Sequence, residues 1–392
     1  MKRISFKNVG QKTKAVSAGA FSLAMMMFSA HAGGGFASGN QANTYFIGLG
    51  SFGIVSAVLA IFILTFVVRQ AIIMYRREGH SSYKELFKSL YHPFDNLSVV
   101  FEIFYQIMVL MAIASAISGA ASALKEYMSF NYFVAALAVS GLVLVLLIFG
   151  ADFVRRISAL MGLIILVSSI SIYFIGSFMG DGIFNVIRDD LGNNGFSNMP
   201  KAMVNAFVYA GFQCVQIPSL IACSNVIKNK NEAKESMNIA FFINSLALVL
   251  SVTMLLSWQG YYKSVEGGEI LPTLTSAEAM GFKWMAVFYA ISLIMCLLST
   301  AVSIAYGFVA RFENARPVRK FKSVKVRRAL LGFFIIAVSM FVSMAGLTNI
   351  IKYGYGYCGY IAIIFIIIPF MTVGVYKNKK AYKNKARAKA RA

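Results

Sequence analysis

The stretch Ala32-Gly33-Gly34-Gly35-Phe36-Ala37-Ser38-Gly39-Asn40-Gln41 lies in the middle of an apolar segment that covers about residues 15–48. Each glycine in a helix interior costs about 1 kcal/mol relative to alanine, so three in succession favour a break. Hydrocarbon offers no hydrogen bonds to the backbone groups that a break releases. A cation at the carbonyls, or a carboxylate at the N–H groups, can replace the lost bonds. The stretch therefore predicts a broken membrane helix with a polar site at the break; the alternative is tight helix packing at the glycines.

A milder interruption occurs in a second apolar segment, about residues 201–226. It reads Tyr209-Ala210-Gly211-Phe212-Gln213-Cys214-Val215-Gln216-Ile217-Pro218. Pro218 removes the hydrogen bond to the carbonyl four residues back and clashes with that turn. Each interruption contains a Gly-Phe pair, Gly35-Phe36 and Gly211-Phe212. The pattern predicts a second broken helix, and a simple proline kink is the alternative.

The rest of the chain indicates one membrane-embedded domain. Of the 392 residues, 58% are hydrophobic and 13% are charged, whereas a soluble domain carries roughly a quarter charged residues. Windows of about twenty apolar residues mark ten candidate spans, numbered 1 to 10 below. They cover about 15–48, 51–73, 99–123, 130–151, 159–180, 201–226, 237–258, 284–308, 329–350 and 354–376.

The two interruptions fall at matching positions of the chain. Since five spans precede span 6, the halves at about 15–180 and 201–376 enter the membrane from opposite sides. Broken helices at matching positions of inverted halves point to a binding site at the membrane midplane. The predicted fold is an all-α polytopic membrane protein of ten transmembrane helices, a five-plus-five inverted repeat with helices 1 and 6 broken. A cytoplasmic N-terminus, 1–14, and a basic tail, 377–392, flank it; we expect the tail to be disordered and close to the membrane.

The net charge of +22 follows the same alternation. Basic residues gather at the N-terminus, in alternate loops and in the tail, while the other loops carry six cations and seven acids. Because Lys and Arg stay on the cytoplasmic side, both termini are expected to be cytoplasmic. The charge is therefore a topology signal rather than a sign of nucleic-acid binding, and anionic lipid is the expected partner of the tail.

An N-terminal signal peptide is the competing interpretation of residues 1–32. A basic start, an apolar stretch and the small-residue end Ser29-Ala30-His31-Ala32 suit cleavage after Ala32, which would leave nine spans.

Two motifs resemble a known family. The Gly33–Gly39 motif resembles the first-helix signature of YkvI-type bacterial membrane proteins. The run Gly346-Leu347-Thr348-Asn349-Ile350-Ile351-Lys352-Tyr353-Gly354-Tyr355-Gly356-Tyr357-Cys358-Gly359-Tyr360 looks like that family's junction between spans 9 and 10. The ten-span plan resembles the leucine-transporter fold of the amino acid–polyamine–organocation superfamily. The resemblance implies a multi-pass protein of the bacterial cytoplasmic (inner) membrane. Gln41 stands where family members often place an acid.

The resemblance also implies where an ion and a solute bind. Carried over by position, the carbonyls near Ser29 and Ala32 would face Ser299 and Thr300 of span 8 in a Na⁺ site. The alternative is that the two hydroxyls bond to their own helix carbonyls. Candidate solute-binding residues surround the two breaks and one face of span 3: Gly33, Gly34, Gly35, Phe36, Ser38, Tyr105, Gln106, Tyr209, Gly211, Phe212 and Gln213.

Ionisable groups inside a span are functional candidates. Glu102 in span 3 and Arg69 in span 2 are placed to pair at a cytoplasmic gate; alternatively Glu102 is solvated and Arg69 snorkels. His31, Asn205 and Asn244 are further polar candidates for the centre of the domain, although helix packing also explains them.

These features favour a secondary active transporter of a small polar organic solute, an amino acid or a related amine. No ATP-binding loop occurs, so a Na⁺ or H⁺ gradient would supply the energy, with no other metal or cofactor. A sensor or assembly protein that keeps the fold without transporting is the alternative. A channel and an enzyme are disfavoured because neither a filter motif nor a catalytic set of residues occurs within a span.

Overall fold

The computed structural model describes residues 17–148, 164, 167–313 and 315–391, and within these ranges all regular secondary structure is helical. Seven helical stretches are long and apolar enough to cross a membrane, and three shorter apolar helices lie in the remaining predicted spans. The long stretches are Phe52–Glu78, Asp95–Glu126, Met199–Ala222, Lys230–Ser257, Lys283–Val309, Val324–Ser343 and Leu347–Asn384. The shorter helices are Ala18–His31, Tyr132–Ile148 and Val167–Ser177. The predicted segment 1–14 and the link between spans 4 and 5 lie outside the described residues.

Span 1 breaks where the glycines predict. Its first helix, Ala18–His31, packs against span 7 and buries Leu23, Met27 and Phe28. Backbone helicity stops at Ala32 and Gly33, resumes over Gly34–Ala37, and stops again at Gly39, whose φ of 80° is left-handed. A last short helix, Asn40–Tyr45, completes the span. The described part of the segment that a signal peptidase would remove, residues 17–32, thus contributes to the buried core.

Span 6 is interrupted where the sequence predicts, and more mildly than span 1. Helix Met199–Gln213 passes through one 3₁₀ turn, Cys214–Gln216, into helix Ile217–Ala222. The tighter turn lets the Ile217 N–H reach the Cys214 carbonyl, the acceptor that a regular helix would pair with Pro218, which has no N–H. The interruption predicted in span 6 is therefore present at Cys214–Gln216 as a change of winding, and it is milder than the break in span 1.

The boundary between spans 9 and 10 also differs from the prediction. Span 9 ends at Ser343, and Gly346, with a φ of 83°, forms the turn. Residues 347–350 begin span 10. Hydropathy assigned them to span 9 because it does not detect a turn made of apolar residues.

The basic tail is helical rather than disordered. Helix Val375–Arg391 follows span 10 without interruption. Lys377 Nζ donates to the carbonyls of Ser89, Leu90 and His92 at 2.6, 3.3 and 3.1 Å. These are the last carbonyls of the loop helix Tyr83–Tyr91 and its cap, so a side chain of the tail closes that helix end.

Three further loop helices lie on the other side of the domain, at Ile183–Asn194, Gln259–Ser264 and Pro272–Ala279. Asp190 Oδ2 accepts the Ser51 amide at 2.7 Å and its Oδ1 accepts Asn194 Nδ2 at 2.9 Å. The Asp190 carboxylate thus holds the start of span 2 to helix Ile183–Asn194. Although burial alone raises the pKa of Asp190, these hydrogen bonds hold it below its ordinary value.

We expect Asp190→Asn to lower the melting temperature at pH 7 by about 2–4 °C, because the amide accepts less strongly from Ser51. Since the folded-state pKa is lowered, the carboxylate stabilises the fold above its unfolded pKa, and this stability is lost as pH falls through the folded pKa. Thermal unfolding between pH 7 and pH 3 measures both effects. Asp189→Asn is the matched control, since exposed Asp189 contacts only Arg188 by an ion pair. Equal melting curves for both variants would contradict this role.

Candidate functional site

The carbonyls released at the break in span 1 find donors elsewhere in the protein. The Cys296 thiol donates to the Ala32 carbonyl at 3.2 Å, and the Tyr289 hydroxyl donates to the Ala37 carbonyl. The Ser38 carbonyl accepts the Thr273 amide at 3.3 Å. Span 8 and helix Pro272–Ala279 therefore replace bonds that the sequence assigned to an ion or a solute.

The glycines also permit close packing. A Cβ on Gly34 would lie 2.1 Å from Leu297 Cδ2, and one on Gly35 would lie 2.5 Å from Gln41 Nε2. A Cβ on Gly33 would meet Thr300 at 3.5 Å. The broken helix and the tight helix contact are thus the same feature, because the break lets the backbone of span 1 approach span 8.

A buried polar network joins the breaks of spans 1 and 6. Gln41 Oε1 accepts the Tyr209 hydroxyl at 3.2 Å and Gln213 Nε2 at 3.5 Å. The other side of the Tyr209 hydroxyl meets His31 Nε2 at 2.9 Å, and Gln216 Nε2 donates to Gln213 Oε1 at 2.8 Å. Amide, hydroxyl and imidazole groups therefore line the centre, which we call the central chamber.

Aromatic rings form the walls of the chamber. Phe36 lies 5.1 Å from the His31 ring, and Phe212 lies 4.9 Å from Tyr209 and 5.2 Å from Tyr45 between ring centroids. A small cavity beside Phe36 is lined by Phe28, Ala32, Phe36, Ser169, Ile170, Tyr173 and Ala247. Its volume of about 10 Å³ has room for about one water molecule. The cavity therefore adjoins the wall of the chamber at Phe36.

The chamber contains no charged residue among those that the structure describes. In that part of the chain no Asp, Glu, Lys or Arg is buried, and His31 is the one buried histidine. The described residues also form no group of three or more His, Cys, Asp or Glu that would hold a metal. A bound species with a net charge would therefore face neutral dipoles alone.

Three of the four residues predicted to hold Na⁺, Ala32, Ser299 and Thr300, lie together at the edge of the chamber. Ser299 and Thr300 both donate to the Cys296 carbonyl at 2.9 Å, as the alternative predicts, and their oxygen lone pairs remain available. The Ala32 carbonyl faces the same turn of span 8 through the Cys296 thiol. Neutral oxygens of this kind suit a hard monovalent cation, so the donor set fits Na⁺. The Ser29 side chain is exposed, which leaves only its carbonyl as a candidate ligand.

Tyr105 and Gln106 do not belong to the chamber. Span 3 approaches the break at Ala116, whose Cα would lie 3.8 Å from a Cβ on Gly34. Tyr105 precedes Ala116 by eleven residues, about 16 Å along a helix. Tyr105 packs instead on Tyr83, with ring centroids 5.4 Å apart. The structure thus places these two candidates away from the chamber, since periodicity shows the face of a helix but not its depth.

The predicted gate pair is also different. Glu102 accepts Arg311 Nη2 at 2.9 Å and the Tyr83 hydroxyl at 2.9 Å, whereas Arg69 lies over the Phe66 ring at 4.8 Å. The Arg311 guanidinium also lies 5.1 Å from the Tyr83 ring. Burial and the Glu102 carboxylate raise the pKa of Tyr83, so its hydroxyl stays protonated and remains a donor. Glu102, Arg311 and Tyr83, called the Glu102 triad below, join spans 3 and 8 to helix Tyr83–Tyr91.

Sequence reasoning missed Arg311 as a partner, and it missed Cys296, Tyr289 and Thr273 as donors to the break. Arg311 was one of several cations near the end of a span, with no pattern to select it. Cys296 stands one turn before Ser299, and this spacing was the available signal.

Comparison with known proteins identifies the fold. No family model matches the chain, and no curated protein matches it significantly in sequence. Solved structures do match over nearly the whole chain, at identities that show the fold alone. They place this multi-pass membrane protein in the leucine-transporter fold class.

Three of these structures illustrate the match. MhsT in complex with L-phenylalanine has a TM-score of 0.63 at 15% identity, covering 93% of this chain and 89% of that one. A substrate-bound, outward-open Na⁺-coupled sialic acid symporter has a TM-score of 0.61 at 14% identity, covering 91% and 90%. The manganese transporter of Eremococcus coleocola has a TM-score of 0.57 at 15% identity, covering 92% and 80%. Two of the three are described as transporters.

Proposed function

We propose that this protein is a secondary active transporter of a small, net-neutral polar organic solute, most consistent with an amino acid zwitterion. The observation that carries the proposal is the uncharged polar chamber at the break of span 1, inside a fold shared with ion-coupled symporters. Alternating access would open this chamber to one side of the membrane at a time.

The charge of the chamber narrows the solute class. An uncompensated charge in a low-dielectric interior costs several kcal/mol, whereas a zwitterion presents both signs to nearby dipoles. The absence of acidic side chains among the described buried residues disfavours a divalent cation such as the manganese carried by one structural neighbour. The buried residues that the structure describes also include no Arg or Lys, which disfavours a solute with net negative charge. Among organic amines, a cationic amine fits less well than an amino acid.

A coupling cation fits the edge of the chamber. The Ala32 and Cys296 carbonyls and the Ser299 and Thr300 hydroxyls would hold Na⁺, which would supply a positive charge next to the solute. Oxygen ligands from both span 1 and span 8 would link ion binding to the relative position of the two spans.

We also propose that the protein belongs to the YkvI-type family, on the motifs at Gly33–Gly39 and Gly346–Tyr360. Membership of this family implies a bacterial inner membrane location and cytoplasmic termini. We further propose that the basic tail contacts anionic lipid. The inverted repeat of about 15–180 and 201–376 is part of this proposal.

Uptake into proteoliposomes tests the solute class and the ion together. We expect uptake of one or more neutral L-amino acids to exceed that of putrescine, glutamate and Mn²⁺. We also expect replacement of external Na⁺ by choline to reduce it at least tenfold. Equal uptake in the two buffers would remove the Na⁺ site, and preference for a charged solute would contradict the neutral chamber.

A non-transporting sensor is favoured by one observation, that the polar side chains of the chamber already hydrogen-bond one another. For that function we expect the same solutes to raise the melting temperature of the purified protein without being taken up.

A further inference from the structure

The break in span 1 releases a backbone carbonyl that span 8 caps with a thiol. In an unbroken helix the Ala32 carbonyl would accept the Phe36 N–H, but that N–H donates to the Gly33 carbonyl at 3.0 Å. The buried Cys296 thiol donates to the Ala32 carbonyl instead, at 3.2 Å. Because a thiol is a weak donor, the Ala32 carbonyl has exchanged a strong hydrogen bond for a weak one.

The Cys296 thiol bonds across to another span, whereas comparable groups bond within their own helix. Cys214 Sγ donates to the Ala210 carbonyl at 3.3 Å, and Ser292 Oγ of span 8 donates to the Phe288 carbonyl at 2.7 Å. In both cases the acceptor lies four residues back, as is common for hydroxyl groups in membrane helices. The Cys296 thiol therefore has an alternative acceptor of the same kind one turn back in span 8.

The oxygens around the thiol are those of the proposed Na⁺ site. The Ser299 and Thr300 hydroxyls donate to the Cys296 carbonyl, and the Thr300 side chain also contacts the thiol. Thr300 faces the break, since a Cβ on Gly33 would lie 3.6 Å from Thr300 Oγ1. Whether the S–H hydrogen goes to the Ala32 carbonyl or to the Thr300 hydroxyl, it occupies an oxygen that the cation needs.

The thiol cannot itself replace one of these oxygens as a ligand. Hard cations prefer carbonyl and hydroxyl oxygens, whereas sulfur is a soft ligand. The positive end of the S–H dipole also points at the oxygen that the cation would approach. Na⁺ can therefore use this oxygen only after the Cys296 thiol has turned away from it.

We propose that the Cys296 thiol competes with the coupling cation for the oxygens at the break of span 1. The thiol caps the Ala32 carbonyl when Na⁺ leaves and turns to its own helix when Na⁺ binds. The cap lowers the affinity for Na⁺, and it allows release of the ion without leaving a buried carbonyl unpaired. This inference rests on the Na⁺ site of the proposed function, and it adds the residue that sets the affinity of that site.

Na⁺ binding to the purified full chain tests the cap. The melting temperature is measured against NaCl concentration, with choline chloride holding the ionic strength constant, so that the half-maximal concentration reports the apparent affinity. Cys296→Ala and Cys296→Val remove the donor and keep an apolar side chain. Cys214→Ala is the matched control, since Cys214 is also buried and bonds within its own helix. Thr300→Ala removes a ligand, and circular dichroism and gel filtration establish that each variant is folded.

We expect the half-maximal Na⁺ concentration to fall about five- to tenfold in the Cys296 variants, because the ion no longer displaces a hydrogen bond. Cys214→Ala should match the wild type. Thr300→Ala should raise the half-maximal concentration at least about tenfold, because the site loses an oxygen ligand.

The cap is wrong if no folded Cys296 variant binds Na⁺ more tightly than the wild type. An undiminished Na⁺ effect in Thr300→Ala would place the ion elsewhere and would also overturn it. A Na⁺ effect found in the Cys296 variants but not in the wild type would support the cap and contradict Na⁺ coupling. No uptake is measured, so a failure of transport in proteoliposomes remains distinguishable from a failure of the cap.

Discussion

Replacing Gly211 or Gly359 by alanine is expected to destabilise the protein by about 1–3 kcal/mol and to abolish transport. A Cβ on Gly211 would lie 2.5 Å from the Gly359 carbonyl oxygen, and one on Gly359 would lie 2.5 Å from the Val208 carbonyl oxygen. The obstructing atoms are backbone, so no side-chain rotation relieves the clash and spans 6 and 10 must separate. Thermal unfolding and proteoliposome uptake measure the two effects.

Gly141→Ala provides the control for this change. Gly141 also lies in a transmembrane helix, but a Cβ there would have no neighbour within 4 Å. The control should therefore keep the melting temperature and the uptake rate of the wild type, or gain slightly from the better helix propensity of alanine. If Gly211→Ala and Gly141→Ala melted alike, the close contact of spans 6 and 10 would be wrong.

Breaking the Glu102 triad is expected to reduce transport about tenfold, because the loss removes about 1.4 kcal/mol of stabilisation from one of the two conformations. Glu102→Gln removes the charge that accepts from both Arg311 and Tyr83, and Arg311→Ala removes the partner. Because the triad joins span 3, span 8 and helix Tyr83–Tyr91, its loss should favour the conformation in which the triad's end of the domain is open. Uptake rates and cysteine labelling at that end of the domain report the shift.

The double variant of Glu102 and Arg311 shows whether Glu102 acts in a gate or is only a charge on the surface. If the three groups act as one unit, Glu102→Gln and Arg311→Ala together should cost about as much as either alone. Asp189→Asn is the control. The side chains of Arg188 and Asp189 are 77% and 65% exposed, so their ion pair should contribute little to stability. Normal uptake by Glu102→Gln would return Glu102 to the role of a solvated residue at the membrane interface.

The overall fold could be predicted because hydropathy and charge act over whole segments. Twenty apolar residues identify a span whatever their order, and the glycine run at Gly33–Gly35 marks the break because glycine is costly there in any membrane helix. The same coarse signal could not resolve the turn at Gly346 or the helical tail. A turn depends on a single φ value, and the tail helix is held by contacts such as that of Lys377 with Ser89.

The site was predictable in part. Tyr209 and Gln213 lie in the central chamber with Gln41, because the two interruptions mark the same depth of the membrane. Tyr105 was misplaced because its distance from the midplane depends on where span 3 begins. The partner of Glu102 depends on which cation of several comes within reach after folding. Charge alone therefore suggested Arg69, whereas packing selects Arg311.

Counterflow tests the central claim most directly. Proteoliposomes loaded with a high concentration of an unlabelled neutral L-amino acid are diluted into a trace of the same labelled compound, with Na⁺ equal on both sides. An alternating-access transporter accumulates the label transiently and saturably without any gradient of ion or charge, and protein-free liposomes do not. We predict such an overshoot for at least one neutral amino acid. Its absence across the full set, with protein shown to be folded in the liposomes, would contradict the account.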